Sequence, residues 1–218
     1  MKTFIFGASG HAKEVLWIIK EINSISQEKL DVDNFVVADN DSLLKTGEYD
    51  SIPIISESEY FKKHTNQVHN CIIAIGSSKI RNIVFNKIAS PKTLFPTLIH
   101  PSVVYDKKKV KIDRGVFIGA NVTLTTDINI EEFVHVNIGS TISHDAHIGA
   151  FTTISPGVNI AGNVSLGKKV FLGINAAIID KITICDDVII GAGAVVTKTI
   201  NNSGTYMGIP AKIRIQDV

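Results

Sequence analysis

The stretch that decides the fold is Ile130–Gly167, "IEEFVHVNIGSTISHDAHIGAFTTISPGVNIAGNVSLG". Stepping by six from Ile130 meets Val136, Ile142, Ile148, Ile154, Ile160 and Leu166, all aliphatic. The count runs back through Leu124 and Ile118 to Ile112, and forward through Leu172, Ile178, Ile184 and Ile190 to Val196. A second column, four residues after each of these, holds small or β-branched side chains, among them Val116, Val122, Ser140, Ala146, Thr152 and Ala194. A helix would repeat its apolar residues at three and four. Antiparallel hairpins would interrupt the count with turns. A strict period of six is the mark of a hexapeptide parallel β-helix. Each hexad makes one short strand and one turn, and three hexads close a triangular coil. Each coil leaves a backbone edge that the next coil pairs with, roughly 4.8 Å further on. About five coils are expected between 112 and 199. Leu98, Val104 and Val110 run in sixes in a different phase and read as an imperfect first coil. After Val196 the count stops, and "KTINNSGTYMGIPAKIRIQDV" is expected to cap the open end.

The amino-terminal half alternates instead. "TFIF" reads as a strand, "GASGH" as a glycine turn and "AKEVLWIIKEI" as a helix with Val15, Leu16, Ile18 and Ile19 on its apolar face. "FVVADND" and "CIIAIGSS" read as further strands, and "SESEYFKKH" and "KIRNIVFNKIAS" as further helices, the first capped by Ser56 or Ser58. This pattern implies a small parallel sheet flanked by helices. The expected architecture is an α/β Rossmann-like domain over 1–97 followed by a β-helix domain with its cap over 98–218. Ligands of such sheets bind at the carboxyl ends of the strands, where Gly7, Gly10, Asp39 and Gly76 fall. A strand–glycine–helix turn also offers backbone amides to an anion.

Composition narrows the function classes. Of 218 residues, 22 are basic and 21 acidic, so no basic field points to nucleic acid. No run of apolar residues is long enough for a membrane span, and "MKTFIFGASG" is too short and glycine-broken for a signal peptide. The two cysteines, Cys71 and Cys185, lack metal spacing and are expected to be buried thiols in a reducing, cytoplasmic setting. No converging ligand set for a metal is visible.

The eighteen-residue coil stacks residues into columns. Thr126, His144, Gly162 and Asp180 share one column, and Asp127, Asp145, Asn163 and Lys181 the next. His144 therefore lies under a glycine, which is expected to leave room for a reacting group and to offer an amide to an oxyanion. Imidazole has the pKa to take a proton from an attacking amine. A carboxylate, Asp145 or Asp127, can orient it. Neither cysteine falls near His144, so direct attack on an activated acyl donor is the simpler chemistry. His147 and His135, each preceding an inward aliphatic, are expected to be structural, with His135 able to line a subunit interface. His100 is expected to be structural, and His64 and His69 solvated. His11 divides between acceptor contact and a helix-start role.

"IFGASGHAKEV", "FVVADN", "IAIGSSKIR", "LIHPS", "HDAHIG", "AGNVSLGKKVFLGINAAI" and "GIPAK" resemble, in order, the NeuD/PglD family of bacterial sugar acyltransferases. The likeness is strongest to its nucleotide-amino-sugar N-acetyltransferase branch. It implies a left-handed β-helix, a homotrimer, and acetyl-CoA bound along the helix between neighbouring subunits. It implies His144 as general base with Asp145 and Asn137 beside it. For the acceptor it implies Gly7, Ser9, Gly10, His11, Asp39, Asn40 and Gly76, and for the cofactor Thr153, Gly162, Gly173, Ile174 and Ala192. Family members often carry a second histidine where this chain has Thr153. Lys212 of "GIPAK" is a candidate for the cofactor phosphates. The implied reaction is N-acetylation of a nucleotide-linked amino sugar, with a UDP-linked 4-amino-4,6-dideoxy sugar as the expected acceptor. O-acetylation of a sialic acid type substrate, or binding without catalysis, are the competing readings.

Overall fold

The computed structural model describes residues 1–214. It divides into two compact units, Met1–Pro96 and Thr97 onward, one residue earlier than the expected boundary.

In the first unit, β1 (Thr3–Phe6), β2 (Asn34–Val37) and β5 (His69–Ile73) pair in parallel in the order β2-β1-β5. Their side chains are nearly all buried, as expected of a parallel sheet covered on both faces. Three further strands extend the sheet beyond the expected three. β4 (Ile52–Ser56) joins β2 in parallel and forms a hairpin with β3 (Glu48–Tyr49). β6 (Thr93–Leu94) joins β5. "SIPIIS" hides its strand character because Pro53 removes a donor; it is tolerated where β4 faces only the two-residue β3. Helix α1 (Gly10–Ile25) buries Ala12, Val15, Leu16, Ile18 and Ile19. Helix α2 (Glu57–Lys63) is capped by Ser56, whose hydroxyl accepts from the Glu59 amide at 3.2 Å. Helix α3 (Ser78–Ile88) follows β5.

Two histidines expected to be solvated are not. β5 begins at His69, which is 2% exposed and shares a 2.6 Å hydrogen bond with the Tyr60 hydroxyl. His64 is half-buried, its ring centroid 4.9 Å from that of Phe4. The strand starts two residues earlier than "CIIAI" indicates, and this draws His69 inside.

The second unit is a stack of two-residue parallel strands on three sheets, the β-helix that the period of six requires. Pairing advances by eighteen: Phe117↔His135↔Thr153↔Phe171 on one sheet, Thr123↔Thr141↔Asn159↔Ala177 on the second, Asn129↔His147↔Ser165↔Thr183 on the third. Both inward columns form one continuous core from Val110 to Ile200. Ser140 and Thr152 sit in that interior because their hydroxyls donate to the carbonyls of Ser155 and Gly167, both at 3.0 Å.

Every hexad turn from Gly115 to Gly193 holds one residue in the left-handed region. These residues recur every six positions, and Gly, Asn or Asp fills most of them, the types that enter this region at least cost. Phe133 and Phe151 are exceptions; their rings stack at 5.1 Å and are buried.

The first coil carries a phase slip. Leu98 pairs with Phe117 and Val104 with Thr123, a step of nineteen, whereas Lys111 pairs with Asn129, a step of eighteen. The residues packing on the core are therefore Ile99 and Tyr105, not Leu98 and Val104, and Val104 is 66% exposed. At the other end, Gly204–Met207 adds in parallel to Val188–Ile190, and Lys212–Ile213 folds back antiparallel on it. The segment after Val196 thus continues one sheet as a cap. Its last four residues, 215–218, lie outside the described residues.

Candidate active site

His144 follows the strand Thr141–Ile142 at a corner of the coil, and its side chain is 56% exposed. Asp145, the next residue, is the left-handed one of this turn, with φ of 58°. Asp145 Oδ2 lies 2.8 Å from His144 Nδ1. Asp127, one coil below, is engaged elsewhere: Thr126 Oγ1 donates to it at 3.0 Å and Lys109 Nζ at 3.3 Å. These hydrogen bonds hold its carboxyl below the usual range, and it faces His144 only at electrostatic distance. Of the two carboxylates, Asp145 is the one that hydrogen-bonds the ring.

Gly162 lies one coil above, as the columns place it. A Cβ there would meet Cε1 and Nε2 of His144, both at 2.6 Å. The space that the glycine opens is taken by the imidazole itself, and Gly162 is buried under it. The expectation of an open slot for a thioester at this glycine is corrected on that point: Gly162 is the seat of the ring. With Nδ1 tied to Asp145, Nε2 is the nitrogen left for proton transfer.

The other site residues of this unit are more scattered. Asn137 Nδ2 donates to the Ile154 carbonyl at 2.7 Å, so its amide is fixed against the next coil. Thr153 is only 4% exposed, paired between His135 and Phe171. Gly173 is required by coil stacking, since a Cβ there would lie 2.6 Å from the Ala192 amide nitrogen. Ile174 and Ala192 are exposed and eighteen residues apart, stacked with Ile138 and Pro156 as an apolar corner. His147 is structural, its Nε2 3.3 Å from Glu131 Oε1 and its Nδ1 3.2 Å from the Asn129 amide. Lys212 is exposed on the cap.

In the first unit the expected acceptor residues gather at the carboxyl ends of neighbouring strands: Gly7, Ser9, Gly10 and His11 after β1, Asp39 and Asn40 after β2, Gly76 after β5. A cleft of about 300 Å³ lies there, lined by Gly7, Ala8, Ser9, Val37, Asp41 and Ile75 among others. A larger one, about 720 Å³, lies at the opposite ends of these strands, around Lys2, Asp33 and His64, away from every motif. The three glycines differ in cause. Gly7 is demanded by the chain: its φ is +104° and a Cβ would meet the Ala74 carbonyl at 2.9 Å. Gly10 and Gly76 have nothing within 4 Å of a Cβ and no positive φ. Ser9 precedes α1 with no side-chain capping bond. Both Asp39 oxygens accept from Ser58, its amide at 2.9 Å and its hydroxyl at 2.6 Å, which holds the carboxyl below its ordinary value. His11 lies 3.0 Å from Glu14 with its side chain 15% exposed; burial lowers its pKa. Ser58 and the buried Arg81 behind Gly76 are contributors that motif reading misses; the arginine stood in "IAIGSSKIR" without a position-specific signal.

The chain matches the PglD N-terminal domain over residues 2–88 and the bacterial transferase hexapeptide (six repeats) over 163–198. Its structure is similar to PerB from Caulobacter crescentus, solved with CoA and GDP-perosamine, at 29% identity and TM-score 0.87, covering 98% of this chain and 97% of that one. The chain thus joins a PglD N-terminal domain to bacterial transferase hexapeptide repeats, and is similar to sugar N-acetyltransferases of the NeuD/PglD type. Two more members of this type match over comparable spans. The acetyltransferase domain of PglB from Neisseria gonorrhoeae, solved with acetyl coenzyme A, matches at 25% identity and TM-score 0.83, covering 98% of each chain. WeeI from Acinetobacter baumannii matches at 28% and 0.81, covering 98% of this chain and 100% of that one. No curated protein sequence matches.

In this acyltransferase, among the described residues, no three His, Cys, Asp or Glu side chains are grouped to hold a metal, and no helix is long and apolar enough to cross a membrane. Cys71 is buried, with its thiol pushed up to about 12, so it is no nucleophile near neutral pH. Cys185 is half-buried rather than buried, because it packs against the edge of the β-helix core.

Proposed function

We propose that this chain transfers the acetyl group of acetyl-CoA to the amine of a nucleotide-linked amino sugar, with a 4-amino-4,6-dideoxy sugar as the expected acceptor. The observation that carries the reading is the His144–Asp145 pair seated on Gly162, in a chain similar over almost its whole length to PerB, which binds CoA and GDP-perosamine. The amine nitrogen attacks the thioester carbon. His144 Nε2 takes the amine proton as the C–N bond forms and returns it to the CoA sulfur as the C–S bond breaks. Asp145 holds the ring in the tautomer that leaves Nε2 free to accept, and stabilises the imidazolium in between. Asn137, on the neighbouring corner, is the expected third member of the site. The cofactor is expected along the exposed corner of Ile174 and Ala192, closed by a neighbouring subunit of a homotrimer in the cytoplasm. Acceptor binding is expected at the carboxyl ends of the strands of the first unit, around the cleft that Gly7 and Ser9 line, with Gly10, His11, Asp39, Asn40 and Gly76 on the neighbouring turns.

The test is a thiol-release assay with acetyl-CoA across UDP-, GDP- and dTDP-linked amino sugars. An N-acetylated nucleotide sugar supports the reading. Release only with a hydroxyl acceptor such as a sialic acid would replace it with O-acetylation, and release with no acceptor in the panel would leave only binding.

A further inference from the structure

Behind the turn that ends β5 lies a buried cation. Arg81, on the first turn of α3, is 0% exposed and is the largest fully buried side chain among the described residues. Its Nη1 donates to two successive carbonyls of the turn, Ile75 at 2.8 Å and Gly76 at 3.2 Å. Burial lowers the guanidinium to about 9, so it stays charged at neutral pH although its surroundings disfavour the charge. An apolar side chain would fill the same space without that desolvation cost. The carbonyls that it grips explain what the charge accomplishes.

A trans peptide points its N–H opposite to its C=O. With the Ile75 carbonyl held inward on Arg81, the Gly76 amide hydrogen points away from it. With the Gly76 carbonyl also held inward, the Ser77 amide hydrogen does the same. Both residues are exposed, and a Cβ at Gly76 would meet nothing within 4 Å. Ile75 also lines the cleft shared with Gly7, Ala8 and Ser9 of the adjacent β1 turn. Consecutive outward amides of this kind form a concavity for an anion. The same cation is in electrostatic reach of His11, which places it behind both glycine turns at once.

We infer that Arg81 is a positioning residue for the acceptor: by pinning the Ile75 and Gly76 carbonyls inward, it presents the Gly76 and Ser77 amides to the diphosphate of the nucleotide-linked substrate. This rests on the acceptor reading above. It makes Arg81 act through the backbone, without touching substrate.

The test is titration of the full chain with UDP, GDP and acetyl-CoA by calorimetry, with thermal melting as the fold control. Variants are Arg81→Met, Arg81→Lys and Gly76→Val. Arg81→Met weakens nucleoside diphosphate binding by about tenfold or more, while acetyl-CoA affinity stays within about twofold. Arg81→Lys recovers part of the loss, because an ammonium can still donate to both carbonyls. Gly76→Val leaves Arg81 in place and fills the open side of the turn, so it weakens the nucleotide without lowering the melting temperature. Folded Arg81 variants with wild-type nucleotide affinity, or with equal loss for nucleotide and acetyl-CoA, would overturn the inference. If neither Arg81 variant folds, wild-type affinity in Gly76→Val overturns it instead. A wild-type chain that binds neither UDP nor GDP would remove the acceptor reading itself, and Arg81's role with it.

Discussion

Asp145 Oδ2 and His144 Nδ1 are 2.8 Å apart because the turn that follows Ile142 places Asp145 in the left-handed region, bringing two adjacent side chains to the same corner. The backbone requirement and the electrostatic one fall on a single residue. Asparagine satisfies the first and not the second. Asp145→Asn is therefore expected to fold like the wild type and to lose about tenfold or more in kcat, as the imidazolium loses its counter-charge. Asp145→Ala adds strain to the same loss. Steady-state kinetics beside thermal melting separates the two effects; an Asp145→Asn enzyme with unchanged kcat contradicts this assignment.

Gly162→Ala tests the seat of the ring. The added Cβ would stand 2.6 Å from Nε2, so the imidazole must shift off its position. Misplacing a catalytic group by about an ångström costs on the order of a hundredfold. Loss of kcat of that order, with the melting temperature lowered little, is the expected outcome. Retained activity would mean that the imidazole has room to work elsewhere.

Core and site should separate in stability. Ile148 is fully buried in the inward column four residues beyond the candidate base. Ile148→Ala removes packing that coil neighbours cannot replace, costing roughly 2–5 kcal/mol in denaturant unfolding. His144→Ala, at a half-exposed corner, should change unfolding by well under about 1 kcal/mol.

His11 should leave a mark on stability against pH. Burial lowers its folded-state pKa below the ordinary value of 6.5. The unfolded chain then takes up a proton first as the pH drops, so stability falls on acidification through about pH 6.5 and levels off below the folded-state value. His64, also lowered by burial, contributes in the same direction. Melting temperatures between about pH 7.5 and 5.5 should decline less steeply in His11→Gln than in the wild type. An unchanged slope would show that His11 does not resist protonation.

The β-helix was legible because its inward side chain recurs at one fixed interval, and the column that put Gly162 over His144 followed by counting. What counting could not supply was side-chain direction. Asp145 and Asp127 were equivalent on the column map, and only the turn geometry separates them. The first coil misled because one extra residue between Tyr105 and Ile112 moves the inward position from Leu98 to Ile99. In the α/β unit, strand β4 went unseen because Pro53 interrupts a short apolar run. His69 reads as a loop residue because polar neighbours precede it, although its ring hydrogen-bonds Tyr60 in the core. Arg81 carried no motif, and its role depends on which way two carbonyls point.

The most direct measurement of the central claim is acetyl transfer from acetyl-CoA to a GDP- or UDP-linked 4-amino sugar by wild type and His144→Ala, followed by thiol release and product mass. The account predicts an N-acetylated nucleotide sugar from the wild type, and a rate roughly 10²–10⁴-fold lower from a folded His144→Ala enzyme. Near wild-type turnover in folded His144→Ala would contradict it.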